Sequence, residues 1–348
     1  MQVVIKINLC ENFLKIMNNA PYSIPIRLRR NRMTESIRKI VQETHLSAAD
    51  LTAPFFIIEG TNNTAPISGM PGIERLSVDR LIKQASELHK KGVQSVCLFP
   101  VIEPSLKSDG AEEAWNPEGL LARSVWTLKK ELPSLCVMAD VALDPFTTHG
   151  HDGLVSPEGA ILNDETICCL TRMSLMQAEA GVDFVAPSDM MDGRVRAIRK
   201  ALDQEGHQNT GILAYSAKYA SSLYAPFREA LNVRLQFGNK KTYQMDPANV
   251  REALLEAELD EEEGADILMI KPATLYLDII AKLRAQTKRP IAAYHVSGEY
   301  SMVMAAHQLG YLQADKTFYE ALLSIKRAGA DLIFTYAIPQ ILDQIIHP

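Results

Sequence analysis

The sequence predicts an α/β protein, a (β/α)8 TIM barrel preceded by an extended N-terminal arm. Three observations carry that reading. From residue 53 onward, eight short β-rich apolar runs alternate with longer stretches of helical period, the pattern of a parallel sheet wrapped by helices. Glycines stand where helices should end, just ahead of the next run, at Gly92, Gly181, Gly264 and Gly329. Eight strand-helix units close a barrel, whereas an open doubly wound sheet usually stops at about five or six strands.

The runs fall at 54–59, 95–101, 135–141, 182–186, 211–215, 266–270, 290–295 and 331–335. Such runs suit strands buried on both faces. Amphipathic stretches lie at 78–91, 120–131, 166–180, 195–204, 248–263, 276–286, 299–308 and 316–328, with apolar residues at helical spacing. Residues 51–348 therefore form the barrel domain. Residues 1–50 precede the pattern and carry Arg27, Arg29, Arg30 and Arg32 beside Pro21 and Pro25. They have too little apolar content for a core, so they read as an oligomerisation arm packed on a neighbouring subunit rather than as disorder. Residues 1–20 carry no assigned role.

Of the 348 residues 47% are apolar and 22% charged, enough to bury one large core. Division by a typical domain length would give two domains, yet α/β barrels fill this length as one. The net charge of −6 is spread over both halves with no long basic block, which argues against nucleic acid as a partner. Five cysteines, Cys10, Cys97, Cys136, Cys168 and Cys169, make an odd set without C-x-x-C spacing, neither a disulfide framework nor a zinc ribbon. No uncharged stretch approaches the roughly 18 residues of a membrane span. The apolar start at 1–7 is broken by Lys6 and lacks a small-residue cleavage site, so no signal peptide is expected. The compartment expected is the reducing cytoplasm.

In a barrel the active site lies at the carboxyl ends of the strands, so the polar residues following each run are the candidates. The third run ends in Asp140, and its loop carries Asp144, His149, His151 and Asp152. The fourth leads into Ser188, Asp189 and Asp192, the fifth delivers Lys218, the sixth Lys271, the seventh Ser297 and the eighth Tyr336. Two lysines from neighbouring strands thus point into one mouth. A free lysine titrates near ~10.4 and is a poor nucleophile at neutral pH. A second ammonium and a dry pocket both penalise its charged form and bring it to roughly 7–8, where the neutral amine attacks a ketone to form a Schiff base. Alone, either lysine fits a solvated rim; together they point to catalysis. One reactive lysine suits a class I aldolase-like enzyme. Two suit a pair of carbonyl substrates, or one Schiff base with a cationic helper. His149 and His151 beside Asp144 and Asp152 are either a metal cluster or the hydrogen-bonding groups of a Gly-rich turn. Met190 and Met191 read as packing, and Cys168 and Cys169 as core.

Longer motifs then bear on the choice. Asp-Val-Ala-Leu-Asp-Pro-Phe-Thr-Thr-His-Gly-His-Asp-Gly at 140–153, Ala-Pro-Ser-Asp-Met-Met-Asp-Gly-Arg-Val at 186–195 and Tyr-Ser-Ala-Lys-Tyr-Ala-Ser at 215–221 resemble the porphobilinogen synthase (5-aminolaevulinate dehydratase) family. So do Tyr-Gln-Met-Asp-Pro-Ala-Asn at 243–249, Tyr-His-Val-Ser-Gly-Glu-Tyr at 294–300 and Thr-Tyr-Ala-Ile-Pro-Gln at 335–340. The resemblance runs in order from about residue 25 to the end. It implies condensation of two 5-aminolaevulinate molecules to porphobilinogen, an early step of tetrapyrrole synthesis.

The resemblance also implies roles. Lys271 forms the Schiff base with the substrate of the acetate side, and Lys218 holds that of the propionate side. Ser297 and Tyr336 bind the carboxylate of the first; Arg228, Lys240 and Gln244, on a lid, bind that of the second. Asp140, Ser188 and Asp189 orient the lysines, and Asp144 and Asp152 contact a substrate amino group. Zinc-dependent relatives use three cysteines where this chain has Ala142, Asp144 and Asp152, so no catalytic zinc is expected. Glu256 matches an allosteric magnesium position, and as a residue of an acidic helix it also fits a plain surface glutamate. Assembly as homo-octamers is implied, with dimers and hexamers as alternatives. One departure lies behind Lys271, where Lys-Pro-Gly-Met-Pro-Tyr reads Lys271-Pro272-Ala273-Thr274-Leu275-Tyr276, and another at Ala225, where the family has Gly. Alanine tolerates positive φ poorly, so the loop at 273 is expected to differ locally. A single-Schiff-base aldolase and a non-catalytic barrel are the remaining classes.

Overall fold

The computed structural model describes residues 25–346. Its parallel strands are β1 Leu51–Ile57, β2 Ser95–Pro100, β3 Cys136–Val141, β4 Phe184–Pro187, β5 Gly211–Lys218, β6 Ile267–Lys271, β7 Ile291–His295 and β8 Leu332–Thr335. Each pairs with the next, and the ring closes where Leu51 and Thr52 of β1 register with Ile333 and Phe334 of β8. All eight expected runs are strands, and the fold is the (β/α)8 barrel. A hairpin of Thr64–Pro66 and Glu74–Leu76 extends the edge of β1.

The helices that follow the strands are α1 Val78–Lys90, α2 Leu120–Glu131, α3 Asn163–Ala180, α4 Arg194–Gln204, α5 Arg251–Glu263, α6 Leu277–Gln286, α7 Ala314–Ala328 and α8 Ile338–Ile346. Two further helices sit in loops at the carboxyl end of the barrel, Ala225–Ala230 after β5 and Ser297–Gln308 after β7. Gly181 and Gly264 end α3 and α5 with φ of 101° and 110°, a left-handed cap that an L side chain resists. Because both sheet faces are covered, strand residues such as Phe56, Phe99, Val185, Leu268 and Phe334 have at most 1% of their surface exposed.

Strand β5 runs on to Lys218, past its expected end at 215. The polar Ser216 and Lys218 are buried there, because the mouth of a barrel accommodates polar side chains that an apolar-run criterion stops at. Within β5 the register against β6 shifts: Ala214 pairs with Leu268, but Ala217 pairs with Ile270. One extra residue is therefore inserted around Tyr215 and Ser216, a bulge that reverses the in-out alternation.

Four expectations change. The compact barrel unit begins at Leu46, ahead of the expected boundary at 50/51, since Leu46 and Ala48 are buried in its core. The arm was expected to be extended; its described part instead holds a 3-10 turn at Leu28–Arg32 and a short helix at Glu35–Ile40 capped by Thr34, with no residue buried in either. Arm residues 1–24 lie outside the described residues. Cys168 is exposed while Cys169 is buried, because successive helix residues point about 100° apart and that step turns Cys168 off the face that buries Cys169, Leu170 and Met173. Ala273, expected to alter the loop because alanine resists positive φ, adopts φ −105° and ψ −57°, so no positive φ is asked of it.

Candidate active site

The strand ends bring the candidates together. Lys218 and Lys271 are the last residues of β5 and β6 and are register partners, which sets their backbones about 4.8 Å apart in neighbouring strands. Asp140 ends β3 one residue short, Ser188 and Asp189 follow β4, Ser297 follows β7 and Tyr336 follows β8. All seven are buried.

Lys271 lies in an aromatic chamber. Its Nζ is 4.4 Å from the ring centre of Tyr294, 4.7 Å from Phe227, 5.0 Å from Tyr215 and 5.4 Å from Tyr224. Two effects oppose each other. Aromatic faces attract a cation by up to about 2 kcal/mol when desolvated. Loss of water, with Lys218 adding repulsion, brings Lys271 from 10.5 down to about 7. That shift corresponds to roughly 5 kcal/mol, so desolvation wins and a large share of the amine is neutral at neutral pH.

Lys218 has different surroundings. Its Nζ donates to the Ser188 carbonyl and stands 3.7 Å from Asp152 Oδ2. Lys240 comes in from the β5–α5 connection and is buried with its Nζ 3.0 Å from Asp144 Oδ2 and 2.9 Å from Asp152 Oδ1. Burial works to raise Asp152, but Lys218 and Lys240 outweigh it and hold the carboxyl at about 2. Burial and the Asp152 charge push Asp144 upward. Burial pushes Asp140 up to about 7 against the pull of both strand-end lysines.

Of the expected carboxylate-binding residues, Ser297 accepts from the Phe227 amide at 3.1 Å and donates to the Leu223 carbonyl at 3.2 Å. It thus fastens Phe227 over Lys271. Tyr336 shares a 2.9 Å hydrogen bond with Tyr294 and stacks on Phe56. Arg228 is half-buried, and its charge is felt by Tyr224 and Tyr243. Gln244 is buried one turn beyond Lys240, to whose carbonyl its backbone N–H donates at 2.8 Å. Glu256 stands apart: it lines a cavity of about 630 Å³ together with Asp192, Glu252 and lid residues 237–239 and 241–245.

His151 bonds Tyr243 at 3.0 Å and the Phe237 carbonyl at 3.2 Å, so it ties the lid to the β3 loop. This is the turn-and-anchor role of the two left open. Among the described residues no group of three or more His, Cys, Asp or Glu side chains gathers as a metal cage. Met190 and Met191 are buried packing residues.

Sequence reasoning missed two features. The aromatic chamber is assembled from β5, β7 and the 222–230 segment, and no local pattern reveals it. Arg194, fully buried, bonds Asp260 of α5 at 3.1 Å, stands 3.6 Å from Asp189 and donates to the Tyr215 carbonyl at 3.3 Å. It braces Asp189, whose carboxyl burial pushes up to about 6 despite that guanidinium. Its signal was slight: Asp260 sits in an acidic run that reads as a solvated face.

The family model for delta-aminolevulinic acid dehydratase matches residues 25–344. The chain is 54% identical over 318 residues to the chloroplastic delta-aminolevulinic acid dehydratase of Physcomitrium patens, covering 91% of this chain and 73% of that one. It is 51% identical to the delta-aminolevulinic acid dehydratase of Chlamydia pneumoniae, covering 91% of this chain and 95% of the relative. The crystal structure of the Toxoplasma gondii ME49 enzyme in complex with porphobilinogen superimposes with a TM-score of 0.90 at 48% identity, covering 93% of this chain and 92% of that one.

A pH dependence follows from the Lys271 environment. Only the neutral amine adds to a carbonyl, so below about pH 7 the rate of borohydride-trappable imine formation should fall about tenfold per pH unit. Single-turnover trapping across pH 5 to 9 checks this: the rate should level off above about pH 7, whereas a solvated lysine, titrating near ~10.4, would give a rate still climbing about tenfold per unit up to pH 9.

Proposed function

The chain belongs to the delta-aminolevulinic acid dehydratase (porphobilinogen synthase) family, and from that premise we propose that Lys271 and Lys218 each hold one substrate molecule as a Schiff base. The reaction is the condensation of two 5-aminolaevulinates to porphobilinogen with loss of two waters, a lyase reaction of tetrapyrrole synthesis. The observation carrying the two-lysine reading is that the two amines form one register row with Lys271 near neutrality.

In this reading Lys271 attacks the ketone of the acetate-side substrate, whose carboxylate Ser297 and Tyr336 bind. Lys218 holds the propionate-side substrate, whose carboxylate takes Arg228, Lys240 and Gln244. Asp144 and Asp152 bind a substrate ammonium; the contact they make with the Lys240 ammonium supports this, since the charge and donor type are the same. Lys240 then exchanges the acid pair for the substrate carboxylate. Asp140, poised near neutrality, moves protons to and from the reacting oxygen and nitrogen. Ser188 and Asp189 fix Lys218, the first through its carbonyl and the second through the Arg194 brace.

No catalytic zinc belongs to this proposal. Ala142, Asp144 and Asp152 offer two carboxylates and no thiolate or imidazole, a donor set that suits a substrate ammonium better than zinc. Magnesium fits elsewhere. Burial and the neighbouring Asp260, Asp192 and Glu252 raise the Glu256 carboxyl, and a hydrated hard cation in the cavity beside it would relieve that crowding. Its part would be allosteric, acting through the lid that shares the cavity wall. The chain would assemble as a homo-octamer through residues 1–50, whose helical segments Leu28–Arg32 and Glu35–Ile40 bury nothing of their own. A reducing cytoplasm suits the free thiols Cys97, Cys136, Cys168 and Cys169, and no described helix is long and apolar enough to cross a membrane.

Three outcomes are expected. Lys271→Ala and Lys218→Ala should each be nearly inactive, because losing either anchor forfeits much of the roughly 7–11 kcal/mol that positioning supplies; near-normal turnover in Lys218→Ala would leave a single-imine enzyme. Dialysis against a zinc-selective chelator should leave activity in place, with a partial rise on titrating magnesium, and activity recovered by zinc alone would reverse the metal assignment. Deleting residues 1–32 should give a smaller, less active particle, whereas an unchanged mass by light scattering would remove the arm from assembly.

A further inference from the structure

The phenols around Lys271 are not equally occupied. Tyr294 and Tyr336 bond each other at 2.9 Å, and Tyr224 donates to the Lys271 carbonyl at 3.1 Å. Tyr215 is fully buried, yet its hydroxyl has no hydrogen-bond partner among the described residues. Its ring lies against the Lys271 amine, and its hydroxyl is close enough to Asp140 for their charges to interact. Asp140 Oδ1 is likewise buried and unpartnered. A buried donor left unsatisfied forfeits its hydration without compensation, and native interiors rarely tolerate one without a use. The β5 bulge is what brings Tyr215 and Lys218, three apart in sequence, onto the same face of the strand.

We propose that the Tyr215 hydroxyl donates a hydrogen bond to the ketone oxygen of the substrate that adds to Lys271, and holds that oxygen until it leaves as water. The inference rests on Lys271 being an imine-forming lysine. As the Lys271 nitrogen bonds to the carbonyl carbon, the C=O π pair moves to oxygen, and one proton passes from nitrogen to oxygen to give the carbinolamine. The nitrogen lone pair then re-forms a double bond while the C–O bond breaks. The oxygen takes a second proton, from the acid form of Asp140, and departs as water, leaving the Asp140 carboxylate opposite the iminium. Tyr215 gives up no net proton. Burial pushes its ionisation well above the ordinary phenol range, so it remains a donor throughout.

Tyr215→Phe removes the hydroxyl and keeps the ring. The probe is 4-oxopentanoate, a 4-oxo acid that lacks the amine and so stops at the imine. Two rates are read on the full-length enzyme: exchange of the ketone oxygen with ¹⁸O-water by mass spectrometry, and borohydride trapping with the modified lysine mapped. Expected in Tyr215→Phe are losses of about 100-fold in both rates, the scale of one oxyanion-type donor, with Tm unchanged or higher, since no intramolecular hydrogen bond is lost. Exchange at the wild-type rate would overturn the proposal, and so would a lowered Tm, which would make the hydroxyl part of the fold. Wild-type label mapping away from Lys271 would overturn the underlying Schiff-base reading as well. Label on Lys271 with normal exchange in the variant would overturn the role of the hydroxyl alone.

Discussion

Removal of water from the Lys271 amine is the constraint on which the rest of the site depends. An ammonium placed in aromatic walls without a close carboxylate loses more hydration than the rings return, and the adjacent Lys218 adds repulsion. The chamber tolerates this cost because the lysine closes a strand in which Leu268, Met269 and Ile270 are fully buried. A stiff barrel thus maintains an amine in a state that a flexible loop would relax by reaching water.

Two lysines side by side would repel each other into solvent unless their surroundings differed. Lys218 is given anionic company, through Asp152 and the Ser188 carbonyl, and Lys271 is given aromatic company. Different environments on adjacent strands thus distinguish the two amines within one register row. The acid pair Asp144 and Asp152 completes the balance by accepting Lys240 as well, so three lysines and three aspartates occupy a nearly water-free volume. Pairing of that kind is costly to break on one side only, which explains why a substrate bringing its own ammonium and carboxylate is well matched to it.

The framework around this charge cluster is also specific. Arg194 spans from α4 to Asp260 on α5 and to Asp189 beyond β4, and touches the backbone at the bulge. The helix that carries Glu256 is therefore bonded through one buried guanidinium to the strand that carries Lys218. Ser297 does a comparable job on the other side, stitching the helix after β7 to the segment that brings Phe227 over Lys271.

Eight strands, their order and the residues at their carboxyl ends were legible in the sequence because each depends on local patterning: apolar runs, helical period and glycine at helix ends. The pairing of Lys218 with Lys271 followed from that order. The segments in which sequence reading fell short are those where contact is remote in sequence. Strand β5 outlasted its apolar run because burial in a barrel mouth does not require apolarity, and Tyr215 faced inward because a bulge undid the two-residue alternation. Cys168 looked like core because helical phase over a mostly apolar stretch leaves the buried face undecided until neighbours pack. Which amine loses its water, which aspartate keeps a proton and which phenol is left without a partner were decided only by the tertiary structure. Desolvation and hydrogen-bond satisfaction are sums over atoms drawn from five or more strands and loops, and no window of sequence contains them.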